Sequence, residues 1–112
     1  MEIRKATKTW GTSFSWYVFR ASVNDIVDKI GAPSFSNPDD YEEKVTRTWE
    51  LELEDGTYFE IYDWKEYRYF CDSEAIEWHI GTRYDVPNAE EDAERVAAAL
   101  NELGFNTKGG GR

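Results

Sequence analysis

The segment 44–65, KVTRTWELELEDGTYFEIYDWK, constrains the fold more than any other part of this chain. Apolar and polar side chains alternate on both sides of Glu54-Asp55-Gly56, the pattern of two half-buried strands joined by a tight turn. Turn length sets the register. A two-residue Asp55-Gly56 loop would place Phe59 and Ile61 on the same face as Glu50 and Glu52. A three-residue loop with glycine in the left-handed position instead pairs Leu53 with Thr57, Leu51 with Phe59 and Trp49 with Ile61. That register gathers the apolar side chains, and a slip of one residue would send them all to the wrong face. The expected inner face is therefore Val45, Trp49, Leu51, Leu53, Phe59 and Ile61, with Arg47 opposite Asp63 as a cross-strand ion pair. The expected outer face is Thr46, Thr48, Glu50, Glu52, Tyr58, Glu60, Tyr62 and Trp64. Glu50 and Glu60 oppose each other there, a like-charge pair that destabilises unless something compensates.

The remaining elements are read from caps and periodicity. Residues 2–9 suggest an edge strand, with Lys guarding the edge. Trp10-Gly11-Thr12 reads as a turn, and Ser13 to Ala21 as a strand with Phe14, Trp16 and Val18 on one face and Tyr17 and Phe19 on the other. Ser22 is an N-cap with Asp25 at N3, followed by the apolar stripe Val23, Ile26, Val27 and Ile30, and stopped by Gly31 and Pro33. Residues 32–43 read as a loop and 65–74 as a connection. Ala75 to Thr82 forms a strand with Ile76, Trp78 and Ile80 in the core, which sends Glu77 and His79 to the outer face. A last helix starts at an Asn88/Glu91 capping box, buries Ala89, Ala93, Val96, Leu100 and Leu103, and ends at Gly104, with Phe105 set to touch Leu100. The fold expected is α+β: an antiparallel sheet of about four or five strands with two helices packed on one face, a single domain over 1–105, and a flexible tail over 106–112.

Charge narrows the function classes. The chain carries 13 basic and 23 acidic residues, a net charge of −10, which opposes direct binding to nucleic acid or membrane surfaces. The N-terminal residues have no apolar run and no stretch approaches a membrane-spanning length, so a soluble cytoplasmic protein is expected; Cys71, the one cysteine, allows no internal disulfide. Phosphate-cradling loops, dinucleotide glycine patterns and nucleophile elbows are missing from the sequence. Cys71 and His79 sit in different elements and form no evident nucleophile–base pair. A metal-dependent hydrolase would need His79 with Glu77 and Glu60 around a divalent ion, and a lone imidazole makes structural zinc a poor fit. No cofactor and no metal are expected. The outer face is more informative: Tyr58, Tyr62 and Trp64 flank Glu60, with His79 on a neighbouring strand, a set suited to a cationic group, an arginine-rich surface or a stacked base.

GTS at Gly11, the short helix ending Gly31-Ala32-Pro33, the segment TWELELEDGTYFEIYDWK and EWHIG at Glu77 to Gly81 resemble a group of small, largely uncharacterised phage-encoded proteins. The resemblance spans roughly residues 11–103, and its most specific parts are the EDGT turn with IYDWK, and EWHIG. It implies a context and no catalytic residue: accessory factors in the host cytoplasm that act against host defences by binding. The expectation is thus a non-enzymatic accessory protein that binds a host protein or sequesters a small nucleotide signal. The candidate site is Tyr58, Glu60, Tyr62, Trp64 and His79, with Lys65, Arg68 or Arg83 available for phosphates. The alternative is an acidic DNA mimic using Asp39, Asp40, Glu42 and Glu43 with Glu90, Glu91, Asp92 and Glu94; a homo-oligomer through the aromatic face is also open.

Overall fold

The computed structural model describes residues 1–109. Its elements are β1 (Ile3–Lys5), β2 (Thr12–Ala21), α1 (Val23–Ile30), β3 (Phe35–Ser36), β4 (Arg47–Leu53), β5 (Tyr58–Asp63), β6 (Ile76–Arg83), α2 (Ala89–Glu102) and β7 (Lys108–Gly109). The strands form one antiparallel sheet in the order β1-β4-β5-β6-β2-β7, with β3 also on β4. The α+β class stands, but the sheet has seven strands among the described residues rather than four or five. The unexpected pieces, β3 and β7, are two residues long. Alternation cannot show in so short a run. Both lie against strands that would otherwise expose a longer edge.

The hairpin register is the one the three-residue turn dictates. Trp49 pairs with Ile61, Glu50 with Glu60 and Leu51 with Phe59. The turn closes with Leu53 N–H donating to Thr57 O at 2.9 Å and Gly56 N–H to Leu53 O at 2.8 Å, and Gly56 takes a φ of 91°. Along β4 every second residue from Arg47 to Leu53 is buried.

Under the inner face lie Trp49, Leu51, Leu53, Phe59, Ile61, Trp78 and Ile80, joined by Val23 and Ile26 of α1 and Val96, Ala99 and Leu100 of α2. A buried tryptophan needs a partner for its indole N–H. Trp78 Nε1 donates to Ala21 O and Trp49 Nε1 to Gly31 O, both at 2.8 Å. Those two carbonyls flank α1, so the edge-to-face Trp49–Trp78 pair, centroids 5.3 Å apart, pins both ends of a two-turn helix too short to be stable alone. The Ser22/Asp25 capping box forms as the sequence predicts.

Several sequence readings are corrected. Val27 is exposed rather than in the buried stripe of α1. Asn88 makes no cap bond; its side-chain amide donates to Asp92 instead. Phe70, in the 65–74 connection, is buried against Trp78. Thr46 is buried and Val45 turns outward, because strand alternation begins only at Arg47. Arg47 does not form the expected ion pair with Asp63: its guanidinium reaches Asp72 at 3.3 Å and stacks on Phe70 at 4.4 Å. Within the expected tail over 106–112, β7 pairs Lys108 with Val18 and Gly109 with Tyr17; residues 110–112 lie outside the described residues. Among the described residues no helix is long and apolar enough to cross a membrane.

Candidate functional site

The outer face of the sheet holds an open cleft of about 480 Å³ lined by Thr12, Ser13, Phe14, Val45, Thr48, Glu60, Tyr62, Trp64 and His79. Strand order creates it. β6 lies between β5 and β2, so Tyr62 pairs with His79, His79 with Val18, and Gly81 stands between Glu60 and Phe14. Gly81 is the floor. A Cβ there would sit 3.0 Å from Thr12 Oγ1 and 3.2 Å from Tyr62 Cε1. With no side chain on β6 at that point, the Thr12 hydroxyl of β2 reaches across it to Glu60 on β5 at 3.0 Å.

β2 is irregular beside the cleft. Three of its residues, Ser15 to Tyr17, face one residue of β6, Ile80, between the pairs Phe14–Gly81 and Val18–His79. Trp16 takes a φ of 71° in this bulge, and Ser15 Oγ donates to Ile80 O at 2.6 Å while accepting from Tyr17 N–H. A bulge bends its strand and re-aims nearby side chains. Here Phe14 stacks on His79 with centroids 4.3 Å apart. Tyr62 and Trp64 complete the cluster, 5.7 and 6.3 Å from the imidazole and edge-to-face with each other at 6.2 Å.

The polar chemistry is concentrated on two groups. Glu60 accepts from Thr12 through Oε1 and from the Tyr58 hydroxyl through Oε2 at 2.6 Å. Among the described residues no Lys, Arg or His forms an ion pair with it, although Glu50 opposes it across the hairpin. Burial, and then the Glu60 acceptor, push the Tyr58 phenol far above its ordinary value; burial and the nearby Glu60 charge also raise Tyr62. Burial holds the His79 imidazole below its usual value, against the opposing pull of Glu77, whose carboxylate lies 3.8 Å from Nε2.

No protein-family model, curated protein or solved structure matches this chain.

Of the residues singled out in the sequence, Glu60, Tyr62, Trp64 and His79 come together in the cleft. Tyr58 is on the same face but only 3% exposed, so it orients Glu60 rather than presenting a ring. Lys65 lies at the rim, its ammonium 5.3 Å from the Trp64 ring. Arg83 is elsewhere: it makes a two-pronged bond to Asp85 and stacks on Trp10 at 3.7 Å. Arg68 is engaged by Glu74 and Glu66. Phe14, Thr12 and Gly81 were not singled out. Their roles depend on β2 lying next to β6, a pairing that leaves no local mark. Among the described residues no three His, Cys, Asp or Glu side chains converge as a metal site would require, and His79, Glu77 and Glu60 form no such group.

Proposed function

We propose that this chain is a non-enzymatic, phage-encoded accessory protein that acts against host defence by binding a host protein, with the outer-face cleft as its recognition site. The observation that carries the reading is the ring cluster of Phe14, Tyr62 and Trp64 around His79, beside a Glu60 carboxylate held by two neutral hydroxyls. Aromatic surface with one convergent polar group is the usual composition of a binding pocket and of an interface centre. A stable fold gains little from leaving Trp64 39% exposed beside the cleft. The rings could equally stack a base, but Glu60 and Glu50 oppose the phosphate of a nucleotide signal, and Arg83 is already engaged by Asp85.

The DNA-mimic reading draws on a different region. Asp39, Asp40, Glu42 and Glu43 are exposed beside β3, within a chain of net charge −10. The second acidic cluster is weaker for this purpose, because Asp92 is buried and paired with Arg95. The two readings separate by experiment. Capture of host proteins from lysate, with mass spectrometry, is compared for the wild type and the Tyr62→Ala/Trp64→Ala variant. Loss of a specific partner with an unchanged circular dichroism spectrum supports the cleft. A partner retained by that variant, but released by moderate salt and lost on neutralising residues 39–43, supports the mimic instead.

A further inference from the structure

Three rings in this protein, the half-buried Trp10, the exposed Trp64 and the buried Phe70, have cations of their own. Trp10 carries the Arg83 guanidinium at 3.7 Å and the Lys8 ammonium at 4.2 Å; Trp64 carries Lys65 at 5.3 Å; Phe70 carries Arg47 at 4.4 Å. Among the described residues no Lys or Arg lies over Phe14 or Tyr62, the two rings that flank the interior of the cleft. Glu60 shows the same incompleteness in charge. Each of its oxygens takes one neutral hydroxyl donor and keeps a further lone pair, and the facing Glu50 adds like charge, with no ion pair to either carboxylate among the described residues.

These gaps specify one chemistry. A guanidinium is flat, weakly hydrated and always charged; it stacks on aromatic faces and donates in a fork that fits a carboxylate. An ammonium is a strongly hydrated point charge that gains less from stacking, and a phosphate would meet Glu60 and Glu50 with its own sign. Resting on the reading of the cleft as the recognition site, we infer that it receives the guanidinium of an arginine side chain displayed by a basic partner protein. The guanidinium stacks among Phe14, Tyr62 and His79, with Glu60 as its counter-charge. His79, whose affinity for a proton is lowered by burial, adds a further ring surface. The cleft volume of about 480 Å³ exceeds what one side chain fills, which leaves room for the flanking backbone.

The test uses the full chain with the capped tripeptide acetyl-Gly-Arg-Gly-amide, its citrulline and lysine counterparts, and AMP. Binding is followed by tryptophan fluorescence and by NMR shifts of the His79 and Tyr62 ring protons. The arginine peptide is expected to bind in the millimolar range and at least about tenfold more tightly than the citrulline peptide, which keeps the shape and lacks the charge. Its affinity falls with added salt and drops by a similar factor in Glu60→Gln, whose side chain has the same size. Equal binding of arginine and citrulline peptides, tighter binding of AMP, or no binding of the arginine peptide overturns the inference; the citrulline and salt arms do so even should Glu60→Gln fold poorly. AMP binding that is lost in Tyr62→Ala/Trp64→Ala would leave the cleft as the recognition site while removing arginine as its ligand. Partner capture unaffected by that double variant would remove the recognition site itself, and the arginine inference with it.

Discussion

Asp63 and Glu60 stand on the same strand, β5, on opposite faces of the sheet, and the protein treats their carboxylates differently. Asp63 is 1% exposed and receives three donors: the backbone N–H of Thr46 at 2.8 Å, that of Arg47 at 2.9 Å and the Thr46 hydroxyl at 2.6 Å. Those bonds hold the start of β4 where regular pairing gives out. Glu60, in the cleft, has two hydroxyl donors, no backbone donor and no cation among the described residues. A carboxylate saturated by backbone donors is part of the structure. One kept in place by hydroxyls, facing an open aromatic cleft, is available for a ligand. The same contrast extends to the rings: Trp49 and Trp78 are fully buried with partners for their N–H groups, whereas Trp64 stays 39% exposed at the cleft edge.

Substitutions on the two faces should therefore differ in kind. The largest effect is expected for Asp63→Ala, which strands two buried backbone N–H groups and should cost about 3 kcal/mol in urea unfolding. A midpoint shift near zero would place Asp63 with Glu60 and break the contrast. Next is Gly81→Val. Its Cβ already crowds Thr12 and Tyr62, so the added methyls should cost about 1–3 kcal/mol and separate Phe14 from His79, seen as loss of their mutual ring-current shifts. Unchanged shifts would show that the floor of the cleft need not be glycine. Glu60→Gln should alter stability by under about 1 kcal/mol, since relief of the Glu50 repulsion offsets weaker hydroxyl bonds, while partner capture falls sharply. A large loss of stability there would reassign Glu60 to the structural class.

The smallest effect concerns pH. The folded His79 has a lowered proton affinity, so well above its ordinary value of about 6.5 the imidazole is neutral in both folded and unfolded chains and contributes no slope. As pH falls through that value the unfolded chain takes up its proton first, and folded stability declines until the folded imidazole also titrates. Urea midpoints measured between neutral and mildly acidic pH should show this decline in the wild type and a shallower one in His79→Gln. Parallel profiles would mean that His79 is as well solvated folded as unfolded.

Much of the inner face is legible in the sequence because its determinants are short-range. The Asp55-Gly56 turn fixes the pairing of Leu51 with Phe59, and Ser22 with Asp25 starts α1, each through bonds spanning a few residues. Legibility fails where alternation stops or where a run is too short to alternate. Alternation read from the sequence puts Thr46 and Val45 on the wrong faces just before β4 begins, and β3 and β7 carry two residues each. Arg47 was paired by its register with Asp63, but backbone donors had filled that carboxylate, and the guanidinium turned to Phe70 and Asp72.

For the cleft the division is sharper. The sequence alone determined that Glu60, Tyr62 and Trp64 share a face, because side chains on a strand repeat every second residue. It also sent His79 to that face through the apolar alternation of Ile76, Trp78 and Ile80. Only the tertiary structure decided that Phe14 covers His79, that Thr12 reaches Glu60 over Gly81, and that Arg83 is drawn away to Trp10 and Asp85. Those outcomes depend on which strand lies beside β6. Strand order is set by the total burial the whole chain achieves, and periodicity within a segment holds no record of its neighbours.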